Sequence, residues 1–480
     1  MIQIKNYING EFHGALEGGH IENVDPSTGS VFSHIPDSSE KDLDKAVGAA
    51  KQAFAKWSKM SKQDRSNIML KIAEGIDNNL DELAMAESLD NGKPVWLAKM
   101  VDIPRASANM RFFATAILHF ASESHHMENV AINYTKRSPV GVVACISPWN
   151  LPLYLFTWKI APALAAGNTV VAKPSEVTPY TAFLFSEICK DAGLPDGVLN
   201  IIHGLGPKVG EAISKHKEIK AISFTGGTST GARIASIAAP MFKKLSLELG
   251  GKNPNIIFAD CKFDEMMKVT LRSSFSNQGQ ICLCGSRIFI EKSLYDKFKT
   301  EFVNRVRSLK VGAPKDDKTK VGAVVSKGHM DKILSYIDLA KEEGGTILYG
   351  GKRKMLEGEY AGGFYIEPTV IENLDPYCRV NQEEIFGPVV TITPFEKEED
   401  VLKWANSTEY GLAATLWTED LSRAHRIANE LESGIVWINT WLLRDLRTPF
   451  GGVKNSGVGR EGGFEALRFF TEAKNVCLKL

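Results

Sequence analysis

From residue 140 onward, short apolar runs alternate with helical stretches, and this alternation limits the possible folds more than any other feature of the chain. A first set of predicted strands comprises Val140–Ile146, Thr169–Ala172, Val198–Ile202 and Ala221–Phe224, with helices at Thr178–Ala192 and Lys208–Lys215. A second set comprises Asn255–Phe258, Ser286–Ile290, Thr369–Ile371, Val389–Phe395 and Ile435–Asn439, with helices near 293–308, 327–343 and 420–432. Strands that alternate with helices indicate a parallel sheet covered by helices on both faces. The sequence therefore predicts two α/β units that join near 250–265, with a ligand cleft between them.

The residues before this region follow a different pattern. Asn9-Gly10 is typical of a tight hairpin turn, in which both central residues take positive φ. Ser38-Ser39 precede acidic residues and an apolar helical pattern, and helical periodicity recurs over 62–91 and 101–121. We expect the N-terminal region to be mainly helical.

The composition excludes several classes of protein. The 480 residues contain 57 Lys+Arg and 57 Asp+Glu, and this balance argues against a mainly electrostatic binder of nucleic acid or membrane. Seven cysteines are too few, and odd in number, for a disulfide framework, which favours a reducing compartment. No secretory signal pattern is visible, and the apolar runs fall well short of the ~20 residues that span a bilayer. We expect a cytoplasmic protein with neither nucleic acid nor membrane as a partner.

Cys282 lies in a polar, Gly-rich segment, Asn277–Arg287, that leads into a predicted strand. A cysteine in this setting is a nucleophile, a metal ligand or an inert core thiol. Cys282 and Cys284 have no second Cys or His pair at ligand spacing, so we expect no metal site. The segment alone leaves the nucleophile and the core thiol open.

Glu248 stands between two leucines and is followed by Gly250-Gly251. Partial desolvation there would raise the pKa of the carboxyl group and suit it to general-base catalysis. The alternative is an exposed glutamate at the end of a helix, and the segment by itself does not decide between the two.

Three further segments follow predicted strands. Phe224–Gly231 places glycines before a helix, where backbone N–H groups can bind a phosphate, although it is not Gly-x-Gly-x-x-Gly and a plain turn stays open. Ser147–Pro152 presents the Asn150 amide, a donor suited to an oxyanion. Lys173–Glu176 places a cation and a carboxylate three residues apart, and such a carboxylate can accept both adenosine ribose hydroxyls and repel a 2′-phosphate.

Taken together and in this order, the segments resemble the NAD(P)-dependent aldehyde dehydrogenase superfamily over essentially the whole chain. Glu383–Pro388 and Pro449–Gly452 match two more segments of the family. The resemblance implies an α/β fold of two doubly wound parallel-sheet domains, one a Rossmann-like cofactor domain and one catalytic, plus a small β oligomerisation arm. The implied ranges are 1–121 and 141–250 for the NAD-binding domain, 251–445 for the catalytic domain, and 122–140 with 461–480 for the arm. It also implies a homodimer or a homotetramer.

The resemblance assigns roles to individual residues. Cys282 is the expected nucleophile, Asn150 and the Cys282 backbone N–H hold the oxyanion, and Glu248 activates the water that hydrolyses a thioester. The expected cofactor contacts are Trp149, Lys173, Ser175, Glu176, Phe224, Gly226, Gly227, Glu384 and Phe386. Glu461 is the expected proton relay. Family members that transfer the acyl group to coenzyme A characteristically lack the glutamate at this position, so Glu248 implies a free acid product, and Glu176 favours NAD over NADP.

The expected substrate contacts are Arg105, Arg444 and Trp158. Two guanidinium groups at a mostly apolar tunnel mouth suit an aldehyde that carries its own carboxylate. The alternative is that Arg444 pairs with Asp445 or another surface acid and has no catalytic role. The segments Arg444–Gly452 and Ile281–Cys284 resemble the branch of the family that contains 2-aminomuconate and 2-hydroxymuconate 6-semialdehyde dehydrogenases. A broad-specificity, retinal or betaine aldehyde dehydrogenase remains an alternative within the family. Outside it, the alternatives are a thiol esterase and a non-catalytic structural protein of the same fold.

Overall fold

The computed structural model describes residues 1–480. The helices are α1 (Glu40–Trp57), α2 (Lys62–Asn78), α3 (Leu80–Asn91), α4 (Val95–Leu97), α5 (Ile103–Ala116), α6 (Pro152–Ala165), α7 (Tyr180–Asp191), α8 (Glu211–Lys215), α9 (Thr228–Ala238), α10 (Phe263–Phe275), α11 (Tyr295–Arg307), α12 (Lys327–Glu342), α13 (Arg379–Gln382), α14 (Glu398–Ala405), α15 (Leu421–Glu430) and α16 (Gly463–Phe469). No helix combines the length and the apolar composition that crossing a bilayer requires.

The strands form three main sheets and two short additional ones. They are β1 (Ile2–Gln3), β2 (Asn6–Ile8), β3 (Glu11–His13), β4 (His20–Asp25), β5 (Ser30–Pro36), β6 (Ser124–Met127), β7 (Ala131–Pro139), β8 (Val142–Ile146), β9 (Thr169–Lys173), β10 (Leu199–Ile201), β11 (Ile219–Thr225), β12 (Lys244–Glu248), β13 (Pro254–Ile257), β14 (Arg287–Glu291), β15 (Thr346–Tyr349), β16 (Thr369–Glu372), β17 (Val389–Phe395), β18 (Tyr410–Gly411), β19 (Ala413–Trp417), β20 (Ile435–Ile438), β21 (Val453–Lys454), β22 (Gly457–Val458) and β23 (Thr471–Lys479).

The first main sheet has eight strands in the order β22-β12-β11-β8-β9-β10-β2-β3. Its five central strands, β12 to β10 in that order, are parallel, and β22, β2 and β3 extend the two edges in the antiparallel sense. Strands β8 and β9 are buried along their whole length, as expected for a sheet covered by helices on both faces. The second sheet has seven strands in the order β15-β16-β17-β14-β13-β19-β20, all parallel except β15.

A third, separate sheet consists of β23, β7 and β6. Strand β23 pairs antiparallel with β7 from Thr471 opposite Pro139 to Lys479 opposite Ala131. Most of β23 and all of β6 are exposed to solvent, unlike the strands of the two large sheets. This small sheet therefore stands apart from the hydrophobic core.

The predicted α/β class with parallel sheets is confirmed, and most predicted strands lie within one or two residues of their observed bounds. The expectation of a mainly helical N-terminal region is wrong for the first 36 residues, which form β1 to β5. These strands lie in a small three-stranded sheet, β1-β5-β4, or at one end of the eight-stranded sheet, and they lack the continuous apolar run of its central strands. Strands β12, β15 and β19 were also not predicted; β12 contains Lys244 and Glu248, which dilute its apolar pattern.

The sheet register brings four of the predicted segments to one edge. Ile146 pairs with Lys173 and with Phe224, and Thr225 pairs with Glu248, so the carboxyl ends of β8, β9, β11 and β12 lie side by side. In an open parallel sheet this edge is where ligands bind. Residues far apart in the sequence therefore converge on one cleft.

Candidate active site

A cavity of about 260 Å³ lies between the two large sheets. Cys282, Asn150, Glu384, Phe386 and Trp149 are among its lining residues. The structure therefore brings together the predicted nucleophile, the predicted oxyanion donor and part of the predicted cofactor set.

Cys282 lies in a turn between helix α10 and strand β14, rather than in the strand itself. Asn253 donates its amide to the carbonyl oxygens of Cys282, at 2.7 Å, and Cys284, at 2.9 Å, and so fixes the turn. Burial, together with the carboxylates of Glu384 and Glu248, raises the pKa of the Cys282 thiol. The thiol form is therefore favoured in the free enzyme.

The turn before Cys282 has an unusual backbone. Asn277 and Gln278 both take positive φ, at 50° and 57°, a conformation that residues with a Cβ rarely adopt. Gly279 follows at φ 70°, and a Cβ there would lie 2.1 Å from the Gly387 carbonyl oxygen. The backbone therefore makes a tight turn at residues 277–279, shortly before Cys282.

Hydrogen bonds hold both the side-chain amide and the backbone carbonyl of Asn150. Its side-chain Nδ2 donates to the Gln280 carbonyl oxygen at 2.9 Å, and its own carbonyl oxygen accepts from Asn277 Nδ2 at 2.9 Å and from Lys93 Nζ at 3.2 Å. The bond to Gln280 orients the amide and leaves its second N–H group free to donate. An amide donor held in this way needs little reorganisation to stabilise developing negative charge.

Glu248 ends strand β12 and is buried, with Oε1 lacking a hydrogen-bond partner. Burial and the neighbouring Glu461 carboxylate raise the pKa of Glu248 well above its usual value. Gly451 makes this placement possible, because a Cβ there would lie 2.7 Å from Glu248 Oε1. The exposed helix-end alternative is therefore wrong, and the carboxyl group has the desolvated environment that its sequence context indicated.

Behind Glu248, three buried side chains form a hydrogen-bonded cluster. Lys159 Nζ donates to Glu461 Oε1 at 2.7 Å and to Ser223 Oγ at 3.2 Å, and Ser223 donates to the same Glu461 oxygen at 3.0 Å. Glu461 was predicted from the sequence, whereas Lys159 and Ser223 were not. Lys159 lies one residue after Trp158 in the apolar helix α6, and a lysine in such a helix is the signal that would have indicated it.

A second cavity, of about 530 Å³, shares Trp149, Gly226 and Gly227 with the first and continues along the strand ends. Lys173, Ser175, Glu176 and Phe224 line it. The site residues therefore lie along one extended cleft.

Glu176 carries a negative charge in this cleft. Burial opposes ionisation, but the Lys173 ammonium at 3.0 Å and further hydrogen bonds outweigh it and lower the pKa of Glu176. Gly227 precedes the 11-residue helix α9 and has nothing within 4 Å of the position of a Cβ. The cleft thus offers a carboxylate for ribose hydroxyls and a helix N-terminus for a pyrophosphate, and its residues fit a dinucleotide cofactor.

Glu384 and Phe386 lie across the cleft from this region. Glu384 Oε1 accepts from the Gly251 N–H at 2.9 Å, and burial raises the pKa of the Glu384 carboxyl group. The Phe386 ring meets the Trp149 ring edge-on, with 5.2 Å between centroids, and His329 packs against both. These aromatic side chains form one wall of the cavity that contains Cys282.

Arg105 and Arg444 line a separate, open cavity of about 890 Å³. The Arg444 guanidinium lies over the rings of Trp158, at 4.5 Å, and Phe450, at 3.7 Å. Arg444 Nη2 and two nitrogens of Arg105 are buried without a hydrogen-bond partner. Asp445 pairs instead with the exposed Arg447, at 2.6 Å, so the alternative pairing of Arg444 with Asp445 is not observed.

A cysteine, a buried carboxyl group and an oriented amide beside a dinucleotide-sized cleft are typical of oxidoreductases that act through a covalent acyl intermediate. The sequence profile of the aldehyde dehydrogenase family matches residues 14–476. The chain is 49% identical to the 2-aminomuconic semialdehyde dehydrogenase of Bos taurus over 100% of this chain and 99% of that protein. It is 46% identical to a 2-hydroxymuconic semialdehyde dehydrogenase of a Pseudomonas species, over 100% of both chains.

Solved structures agree with these matches. An aldehyde dehydrogenase from Bacillus cereus in complex with NAD⁺ is 40% identical, with a TM-score of 0.97 over 100% of this chain and 97% of that one. The chain therefore belongs to the aldehyde dehydrogenase family.

Proposed function

We propose that this protein is an NAD-dependent dehydrogenase that oxidises a carboxylate-bearing semialdehyde, of the 2-aminomuconic or 2-hydroxymuconic type, to the dicarboxylic acid. The observation that supports this substrate class is the pair of guanidinium groups of Arg105 and Arg444, whose buried nitrogens lack partners. Arginine binds a carboxylate through two parallel hydrogen bonds, and an anion would also offset the repulsion between the two cations. The names of the similar proteins point to the same substrate class.

The chemistry begins at Cys282. The thiol first releases its proton to water in the cleft, and the thiolate then adds to the aldehyde carbon. The new oxyanion accepts hydrogen bonds from the free Asn150 N–H and from the Cys282 backbone N–H. When bound, NAD supplies the acceptor for the hydride that leaves this carbon as the C=O bond re-forms. The product of this half-reaction is a thioester on Cys282.

Glu248 then carries the second half-reaction. As a carboxylate it takes a proton from water, the resulting hydroxide attacks the thioester carbon, and the Cys282 thiolate leaves. The proton passes from Glu248 towards the neighbouring Glu461 carboxylate, which accepts hydrogen bonds from Lys159 and Ser223. Water as the acyl acceptor gives a free acid, so we propose a hydrolytic rather than a coenzyme A-acylating enzyme.

The cofactor roles follow from the two connected cavities. Glu176 and Lys173 hold the adenosine ribose, Gly227 and the α9 N-terminus face the pyrophosphate, and Glu384 with Phe386 positions the nicotinamide ribose and ring. The ionised Glu176 would repel a 2′-phosphate, which supports NAD rather than NADP. The remaining predicted contacts, Trp149, Ser175, Phe224 and Gly226, complete the walls of this cleft.

We further propose the domain ranges and the assembly that the sequence predicted. Residues 1–121 and 141–250 bind the cofactor, 251–445 carry the nucleophile, and 122–140 with 461–480 form the oligomerisation arm of a cytoplasmic homodimer or homotetramer. The separate, exposed sheet of β6, β7 and β23 supports an arm that pairs with a second copy.

The direct test compares an aldehyde acid with a neutral aldehyde of equal length. The saturated six-carbon pair, 6-oxohexanoate and hexanal, is assayed by NADH formation with the natural protein and with R444A. We expect R444A to raise the ratio of the KM for 6-oxohexanoate to the KM for hexanal by on the order of a hundredfold, because a charged hydrogen-bond partner is lost. An unchanged ratio in both R444A and R105A would contradict the carboxylate site. Ester hydrolysis without NADH formation would indicate the thiol esterase instead.

A further inference from the structure

The two arginines of the open cavity are in contact with the same tyrosine. Tyr154 lies in the first turn of helix α6 and is buried, with 8% of its surface exposed. Its phenolic oxygen accepts a hydrogen bond from Arg444 Nη1 at 3.1 Å. The Arg105 guanidinium lies over the ring, 5.6 Å from the centroid. One side chain is thus in contact with both cations.

The position of Tyr154 is itself fixed by the helix that carries Arg105. Asn109, one turn after Arg105 in helix α5, donates to the Tyr154 carbonyl oxygen at 3.0 Å and to Thr157 Oγ1 at 3.2 Å. Helices α5 and α6 are therefore joined at the level of the two guanidinium groups. These buried bonds fix the Tyr154 backbone relative to the helix that carries Arg105.

Arg444 has no comparable restraint from its own segment. It lies in an irregular loop, its guanidinium lies over the rings of Trp158 and Phe450, and it donates a hydrogen bond to the Tyr154 phenolic oxygen. The contacts with the Trp158 and Phe450 rings are non-directional compared with a hydrogen bond, so they restrain the orientation of the guanidinium less. The bond from Nη1 to Tyr154 supplies the stronger restraint and leaves Nη2 without a partner.

We propose that Tyr154 is a specificity-determining positioning residue, which fixes the Arg444 guanidinium opposite Arg105 so that the two bind one carboxylate together. This inference rests on the proposed function, since it assumes that the substrate carries an anion. Tyr154 acts through Arg444 and does not touch the reacting carbon. Its hydroxyl therefore affects the binding of an aldehyde acid more than the binding of a neutral aldehyde.

The test uses the same 6-oxohexanoate and hexanal pair with full-length Y154F, which keeps the ring and removes only the hydroxyl. We expect the KM ratio of acid to neutral aldehyde to rise about tenfold, with little change in the ratio of the kcat values. The matched control is Y365F, because Tyr365 is also buried and donates its hydroxyl to one carbonyl oxygen, that of Ser27 at 3.0 Å, outside the cavities described above. Y365F should leave the KM ratio unchanged.

A double variant separates positioning from direct binding. If Tyr154 acts through Arg444, Y154F should have no further effect on the ratio in an R444A background. A tenfold effect that persists in that background would overturn the inference. A ratio that responds to R444A but not to Y154F would also overturn it and would leave the proposed function standing. A ratio that responds to neither R444A nor R105A would contradict the proposed function itself.

Discussion

The ammonium group of Lys159 lies 2.7 Å from the Glu461 carboxylate, and both side chains are buried behind Glu248. Glu461 raises the pKa of Glu248 and Lys159 lowers it, while burial makes the largest contribution and raises it. The charge state of the proposed general base therefore depends on a pair of residues that do not themselves contact the cavity around Cys282. This arrangement leads to a prediction about pH.

Deacylation should require the ionised form of Glu248, whose pKa lies well above the usual glutamate value of 4.5. A raised pKa means that the proton is still bound at mildly acidic pH, so kcat should rise with pH as it dissociates. Steady-state kcat measured from pH 5 to 9 tests this rise with pH. In E248Q we expect a first-turnover burst of NADH to remain, with later turnovers slower by roughly a hundredfold or more. Loss of the burst itself would contradict a role confined to hydrolysis.

The reactivity of Cys282 should respond to its acidic neighbours. Burial, then Glu384 and then Glu248, raise the pKa of the thiol, so replacing Glu384 with glutamine should lower it and increase the thiolate fraction. We expect E384Q to accelerate alkylation of Cys282 by iodoacetamide at pH 8 by roughly three- to tenfold. Peptide mass spectrometry follows the reaction, with the half-buried Cys261, which lies outside the small sheet, as an internal control. Slower alkylation in E384Q would show that Glu384 does not act by its charge.

Cofactor preference should depend on Glu176. Its ionised carboxylate is held by Lys173 in the cleft that we assign to the adenosine ribose. Replacing it with alanine removes the repulsion of a 2′-phosphate, so kcat/KM for NADP should rise on the order of tenfold while that for NAD falls. The measurement is NADH and NADPH formation with hexanal. If E176A keeps the natural protein's preference for NAD over NADP, residues other than Glu176 determine the choice of cofactor.

Arg287 should contribute strongly to stability. Its buried guanidinium donates to the carbonyl oxygens of Lys252, Trp404 and Ala405 at 2.8 to 2.9 Å, and so connects the Gly-rich segment after Glu248 to helix α14. R287M would remove the donor from the buried carbonyl groups of Lys252 and Ala405, whereas the Trp404 carbonyl also accepts from Ser407 Oγ at 2.8 Å. Two unsatisfied buried carbonyls cost roughly 2–6 kcal/mol. Urea unfolding of R287M should show this loss, whereas R447M, which disrupts an exposed ion pair with Asp445, should unfold close to the natural protein. Equal midpoints for the two variants would refute the prediction.

The small sheet should mediate assembly. Strand β23 pairs with β7 over nine residues but is largely exposed, which leaves its outer surface available to a second copy. We expect light scattering at micromolar concentration to show a dimer or a tetramer, and a variant that ends at Phe470 to shift towards the monomer. A monomeric full-length protein would contradict the proposed assembly.

Much of the fold was predictable because its central strands are continuous apolar runs. Val389–Phe395 was predicted with its observed bounds, and the Asn9-Gly10 hairpin forms with both residues at positive φ. Local patterns of this kind depend on neighbouring residues alone. Strands β4 and β5 are partly exposed and belong to a small three-stranded sheet with β1, so they lack a continuous apolar run and the sequence carries little signal for them.

The site was predictable in its residues but not in its contacts. Cys282, Glu248 and Asn150 stand in segments whose composition already indicated chemistry. The bond between Lys159 and Glu461 joins residues 302 positions apart, and the one between Arg444 and Tyr154 joins residues 290 positions apart. Such contacts depend on how the two sheets and helices α5 and α6 pack, which periodicity within a segment does not report.

The central claim is that Cys282 carries the acyl group after the hydride has left. Intact-protein and peptide mass spectrometry of E248Q, quenched after one turnover with NAD and 6-oxohexanoate, measures this most directly. The account predicts one adduct per subunit on the Cys282 peptide, with the mass of the aldehyde less two hydrogens, and one NADH formed. NADH formation by C282A at the natural rate, or an adduct on another residue, would contradict it.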